Sequence, residues 1–175
     1  TRMRLIFAAA AVLALAGPSA AALPQGSKAP NFVTDGSIGG KDFKLRLSDQ
    51  LKKGPVVLYF FPKAFTEGCT LESRAFSQAM PQFRKAGAQV IGMSTDNLAT
   101  LKEFSKKECS DAFPVATATP EVVKAYDVQL KSKPELTKRT SYVIDRRGRI
   151  VMVHDDMKWN EHVTRTLAAV RALKR

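Results

Sequence analysis

Two cysteines, two histidines and one tryptophan in 175 residues leave little material for metal chemistry or a disulfide scaffold. So few soft and imidazole ligands exclude a cysteine-ligated zinc finger, and two thiols allow at most one disulfide. Acid is also scarce, with 16 Asp+Glu against 28 Lys+Arg and a formal charge of +12. The basic residues are scattered among acidic ones along the whole chain. The excess therefore reads as a solubilising surface, and no nucleic-acid partner is expected. No apolar run beyond the N-terminus approaches 18 residues, which excludes a polytopic membrane protein.

What is present begins with Arg2 and Arg4, an apolar stretch over residues 5–16, the break Gly17-Pro18 and the small residues Ala20, Ala21 and Ala22. This is the pattern of a secretory signal peptide cut after Ala22. The apolar stretch makes about 18 Å of helix, too short for a hydrocarbon core of about 30 Å. The expectation is an exported protein of the bacterial periplasm: residues 1–22 form the signal peptide, residues 23–175 a single domain, and no stable membrane association follows cleavage. Outside the reducing cytosol the two thiols are free to form a disulfide.

Alternation over residues 43–47 predicts a half-buried strand after a turn-rich stretch at 36–40. Residues 56–61 are apolar throughout and stop at Pro62, as a central strand covered on both faces would. A helix is expected over 66–86, kinked or divided at Pro81 and stopped by Gly87. A buried strand over 89–94 follows, then a helix capped by Asp96 or Asn97 and running to about Glu108. The pattern closes with a short strand at 113–117, a helix at 120–126, strands at 140–145 and 150–154 around the Arg147-Gly148 turn, and a helix over 159–173. The class is α/β, a mixed sheet with helices on both faces.

In open α/β sheets the reactive crevice lies beyond the carboxyl ends of the strands. There the central strand leads into Cys69, in the first turn of the next helix, where unpaired N–H groups and the helix dipole favour an anion. A free thiol with a pKa near 8.5 is mostly protonated at neutral pH, and such a setting brings the value to roughly 3.5–7.5. Position alone leaves two readings, a reactive thiolate and an inert buried thiol.

The surrounding residues, Pro62-x-x-x-Thr66-x-x-Cys69, resemble the active-site motif of the peroxiredoxins. Gly68-Cys69-Thr70 followed by Glu72 is similar to the bacterioferritin-comigratory, or PrxQ, branch of the AhpC/TSA family. The resemblance continues through Pro81 to Gly87, Val90 to Ser94, Phe113-Pro114, Lys124-Ala-Tyr126 and Arg139 to Gly148. It implies a thioredoxin-like fold and an antioxidant oxidoreductase, a thiol-dependent peroxidase of hydrogen peroxide and organic hydroperoxides. It also implies a thiol electron donor, thioredoxin-like or another exported reductant, no cofactor and no metal, in a monomer or dimer. Cys69 would be the peroxidatic cysteine and pass through sulfenic acid. Thr66 would bond the thiolate and the attacked oxygen, although it also stands where a helix N-cap belongs. Arg139 would bring a permanent cation and Pro62 would shield the sulfur. Glu72 either orients Arg139 or lies on an exposed helix face. One departure is Glu67, where family members usually carry proline.

Cys109 is the one internal candidate for a resolving cysteine, displaced by about a turn from its usual place; the alternative early position holds Arg74. Cys109 either resolves the sulfenic acid or packs on the core face in line with Leu98. A thiol-disulfide exchanger would carry a second cysteine at position 72, which is Glu. A copper chaperone would need one at position 73, which is Ser. A peroxide sensor with little turnover is the remaining alternative. His162 and Trp159 are read as structural.

Overall fold

The computed structural model describes residues 22–173; the expected signal peptide lies outside the described residues except for Ala22. Thirteen elements follow in chain order: β1 (Val33–Ile38), β2 (Lys41–Arg46), α1 (Leu47–Lys53), β3 (Val56–Phe60), α2 (Glu67–Lys85), β4 (Gln89–Ser94), α3 (Leu98–Phe104), a π-helical turn (Ser105–Cys109), β5 (Val115–Thr117), α4 (Pro120–Ala125), β6 (Thr140–Ile144), β7 (Ile150–Asp155) and α5 (His162–Ala172). The strands form one seven-stranded sheet in the order β2-β1-β5-β4-β3-β6-β7. The inner strands β3, β4 and β5 are parallel, whereas β6, β7, β1 and β2 run antiparallel to their neighbours.

Every residue of β3 is buried. Alternate side chains go to opposite faces: Val57 and Tyr59 join one core with Phe76, Phe83, Leu101, Phe104 and Val170, while Val56, Leu58 and Phe60 join the other with Leu47, Val122 and Tyr142. Helices α2, α3 and α5 thus cover one face and α1 and α4 the other, as the α/β reading requires. Among the described residues no helix is long and apolar enough to cross a membrane.

Five expectations need correction. The turn-rich stretch is the tip of a hairpin, since Val33–Ile38 pairs residue for residue with Lys41–Arg46 around Gly39-Gly40, both at positive φ. Leu47 belongs to α1 and not to the preceding strand. Pro81 does not divide α2: Phe76, Ala79, Met80 and Phe83 are buried on both sides of it while its ring faces solvent, so packing holds the two halves in register. The helix expected to reach Glu108 ends at Phe104, and a π turn carries the chain on. The widened turn, closed by Ser110 N–H to Ser105 C=O, rotates Cys109 into the core. Finally, α5 starts at His162, because the residues before it are held in a turn by His162 N–H on the Trp159 carbonyl (3.3 Å).

Candidate active site

Strand β3 ends against Pro62, which is half-buried, and the loop from there to Thr66 is pinned from both sides. Thr137 Oγ1 donates to the Phe61 carbonyl (2.9 Å), and Ala64 N–H donates to Asp96 Oδ2 (2.8 Å). Phe65 takes a left-handed φ of 65°, unusual for a residue with a side chain, and its ring rests edge-on against Phe104 at 5.2 Å. The chain is thereby turned into α2, with Thr66 at the N-cap position. The Thr66 hydroxyl does not cap the helix; it donates to the Lys63 carbonyl (2.8 Å) and keeps its lone pairs free. Glu67 is the exposed first residue of α2, so the residue that replaces the usual proline faces solvent at a helix end that favours its charge.

Cys69 is the third residue of α2, 1% exposed, within the turn whose N–H groups lack intrahelical partners. Arg139, immediately before β6, reaches it: Nη2 lies 3.5 Å from Cys69 Sγ. This arginine is not a surface residue, being 5% exposed. Its Nη1 donates to Glu72 Oε2 in a close ion pair, and its Nε donates to the Met157 carbonyl (2.9 Å). Gly68 makes room for it, since a Cβ there would stand 3.1 Å from Nη2. Trp159, half-buried, borders the same spot, 3.9 Å from that Cβ position.

Glu72 is fully buried, not on an exposed helix face. Burial pushes its carboxyl up to about 8 despite the attraction of Arg139. Burial also works against the charge on Arg139, but Glu72 and Cys69 beside it raise its pKa above the ordinary value. His162 Nδ1 stands 3.6 Å from Glu72 Oε1 and 2.7 Å from Ser141 Oγ, while Nε2 lies 2.8 Å from the Asp156 carbonyl. Burial pulls the His162 imidazole down to about 4. The folded protein therefore keeps it neutral, whereas the unfolded chain protonates near 6.5. Stability is expected to fall as pH drops from about 6.5 towards 4, by up to about 3 kcal/mol from this group, and thermal melts of the native protein and His162→Gln at pH 7 and 5 would read it.

The second thiol, Cys109, is fully buried at the end of the π turn. Burial raises its pKa to about 12, against a hydrogen bond from Ser73, whose hydroxyl also meets the Tyr59 hydroxyl at 2.9 Å. Cys69, Tyr59 and Cys109 belong to one core cluster, and both cysteines are free thiols. The segment is latched to α2 by Arg74 on Glu108 (2.6 Å) and by Ser77 Oγ on the Cys109 carbonyl (2.8 Å).

Of the residues singled out in the sequence, Cys69, Arg139 and Glu72 converge, with Pro62 and Thr66 at the edge of the same turn. Sequence reasoning placed Gly68 in the motif without a role for it, and missed Met157 and the contact of His162. Met157 holds the Arg139 side chain through its backbone carbonyl, which any residue type supplies and no sequence signal marks, and its Sδ accepts from the Arg139 backbone N–H (3.4 Å).

A buried cysteine at a helix N-terminus beyond a central parallel strand, with a cation on its sulfur, places the protein among thioredoxin-like thiol enzymes. Residues 25–153 match the AhpC/TSA family. The chain is 33% identical over 150 residues to chloroplastic peroxiredoxin Q of Oryza sativa subsp. japonica, covering 85% of this chain and 67% of that protein. It is 33% identical over 124 residues to peroxiredoxin Bcp of Xanthomonas campestris pv. campestris, covering 67% of this chain and 76% of the relative. Among solved structures, peroxidoxin BcpB from Mycobacterium tuberculosis superposes with a TM-score of 0.78 at 29% identity, over 86% of this chain and 98% of that one. The chain belongs to the AhpC/TSA family and is a peroxiredoxin of the Q, or Bcp, type.

Proposed function

We propose that Cys69 is the peroxidatic cysteine of an exported thiol-dependent peroxidase. The observation that carries this reading is the Arg139 guanidinium 3.5 Å from a sulfur buried at a helix N-terminus. A fixed cation and unpaired N–H groups both favour the thiolate. The sulfur lone pair attacks one oxygen of a hydroperoxide and the O–O bond breaks. Sulfur becomes sulfenic acid while water or an alcohol leaves with the remaining oxygen. Arg139 donates to the oxygens as negative charge moves onto the leaving one. Thr66, its proton committed to the Lys63 carbonyl, accepts from the peroxide O–H. Pro62 walls the sulfur from water.

Cys109 is the resolving cysteine in this reading. Its thiol attacks the sulfenic sulfur, water leaves and a disulfide forms. A thiol held at about 12 by burial is a poor nucleophile, so the step needs the π turn to open. Support for that opening is local: the turn is short and ends in two left-handed residues, Ser110 (φ 49°) and Asp111 (φ 48°). A thiol donor of the exported compartment then reduces the disulfide, and the enzyme works as a monomer or dimer. The signal-peptide pattern at residues 1–22 supports periplasmic export.

The test is the reduced protein from Leu23, treated with about one equivalent of hydrogen peroxide and weighed intact. Loss of two hydrogens is expected, with Cys109→Ser giving instead a trappable gain of one oxygen on Cys69. An unchanged mass would sink the peroxidase assignment of Cys69. A stable oxygen adduct on the native protein would make it a one-cysteine enzyme.

A further inference from the structure

We propose that Glu72 and His162 together hold a proton whenever Cys69 is a thiolate, which makes His162 a positioning residue for the reactive sulfur. The inference rests on Cys69 being the ionised nucleophile. It starts from an orphaned atom: Glu72 Oε1 is buried without a hydrogen-bond partner, although Oε2 is engaged by Arg139. A buried, unpaired carboxylate oxygen is costly. The polar group facing it is His162 Nδ1, at 3.6 Å.

The tautomer of His162 follows from its partners. Nε2 lies 2.8 Å from the Asp156 carbonyl, which only accepts, so Nε2 carries the hydrogen. Neutral His162 therefore accepts at Nδ1 from the Ser141 hydroxyl (2.7 Å), and Glu72 Oε1 faces the same edge at 3.6 Å without a hydrogen bond. An ionised Oε1 thus meets an imidazole edge that has no hydrogen to give it, and one proton placed on Glu72 Oε1 and aimed at Nδ1, with the Ser141 hydroxyl hydrogen turning away, removes the conflict.

Charge balance gives the proton a purpose. With Cys69 as thiol, Arg139 and an ionised Glu72 sum to zero. With Cys69 as thiolate and Glu72 still ionised, one buried cation would face two anions. Protonating Glu72 as the S–H bond of Cys69 breaks restores neutrality and leaves the Arg139 charge to the sulfur. The proton passes by exchange with water, an O–H bond replaces an S–H bond, and nothing is oxidised or reduced. The burial that raises Glu72 works in the same direction.

Other charged groups around the pair come from each neighbouring element. Arg139 and His154, whose ring centroid is 4.4 Å from that of His162, disfavour an imidazolium, while Asp156 favours one weakly. The proton accordingly resides on the carboxyl side. His162 also borders both supports of Arg139. Nδ1 faces Glu72, and Nε2 holds Asp156, whose N–H donates to the Arg139 carbonyl (3.2 Å) and whose neighbour Met157 binds Nε.

The experiment titrates the reduced protein by infrared spectroscopy while following thiolate absorbance in the ultraviolet. A buried protonated-carboxyl band, assigned by its loss in Glu72→Gln, is expected at neutral pH. In Cys69→Ser it should vanish at a proton concentration about tenfold higher than in the native protein. His162→Phe should cut the thiolate fraction at pH 7 by about tenfold, and His162→Gln, which keeps polar atoms at the site, should recover most of it. A carboxyl band that titrates identically with and without Cys69, or a His162→Phe protein with an unmoved thiolate titration, overturns the proposal. If His162→Phe does not fold, the infrared comparison decides alone. Neither readout uses peroxide, so a failed peroxidase assignment and a failed proton site are told apart.

Discussion

Changing Arg139 to Met is expected to slow oxidation of the reduced protein by hydrogen peroxide about 100- to 1000-fold, the usual cost of removing one pre-aligned donor from a developing oxyanion. In the proposed mechanism the guanidinium would serve two ends at once, facing the sulfur through Nη2 and offering donors to the oxygens. The methionine side chain fills similar volume without either. The fold should survive at neutral pH, because a buried Glu72 without its cation stands as the neutral acid and not as an unpaired charge. Stopped-flow fluorescence would follow the reaction through Trp159, which lies beside Gly68 and Arg139. A rate within about threefold of native would mean that the helix N-terminus alone activates the sulfur.

The parts of the fold that the sequence announces are those in which one physical demand dominates. Strand β3 is buried on both faces and so is apolar throughout, and Cys69 follows from its end because a chain leaving a central parallel strand must enter a helix there. The edge of the sheet is less legible. Val33–Ile38 carries Thr34, Asp35, Gly36 and Ser37, and its strand character comes from pairing with β2 and β5, a tertiary gain that local propensity does not contain. The short α1 is hidden for a similar reason: it buries only Leu47 and Gln50.

The site divides along the same line. Cys69, Thr66, Pro62 and Arg139 are marked by residue type and order, and the structure sets Arg139 against the sulfur. Of what locks the arginine, only Glu72 is marked in this way. The Met157 carbonyl is a backbone group, and His162 looks in sequence like one more helix-start histidine. The departure at Glu67 matters less than its charge suggests, since the side chain faces solvent. Cys109 is the harder case, because the π turn that buries it leaves no periodic signal. A helix continued to Glu108 would have placed the thiol differently.

Phe76→Ala is expected to be the most damaging core change near the site, costing about 3–5 kcal/mol. Phe76 is fully buried two turns after Cys69, stacked on Tyr59 with ring centroids 4.3 Å apart, and also packs against Phe83 and Phe113. The cavity would be slow to refill. Its walls are rigid rings, and Tyr59 is pinned at its far end by the 2.9 Å contact with Ser73. Gly92 adds to this: even a methyl group there would come within 2.7 Å of the Tyr59 hydroxyl, so the ring already fills its side of the core. The loss should appear as a lower denaturant midpoint at unchanged slope. Because Tyr59 and Ser73 sit against Cys109, a second consequence follows. Loosening this stack should ease opening of the π turn, so disulfide formation after peroxide treatment should quicken even as the protein weakens. A destabilised Phe76→Ala protein that closes its disulfide no faster than native would show that the opening is confined to the π turn and does not draw on the aromatic core beneath it.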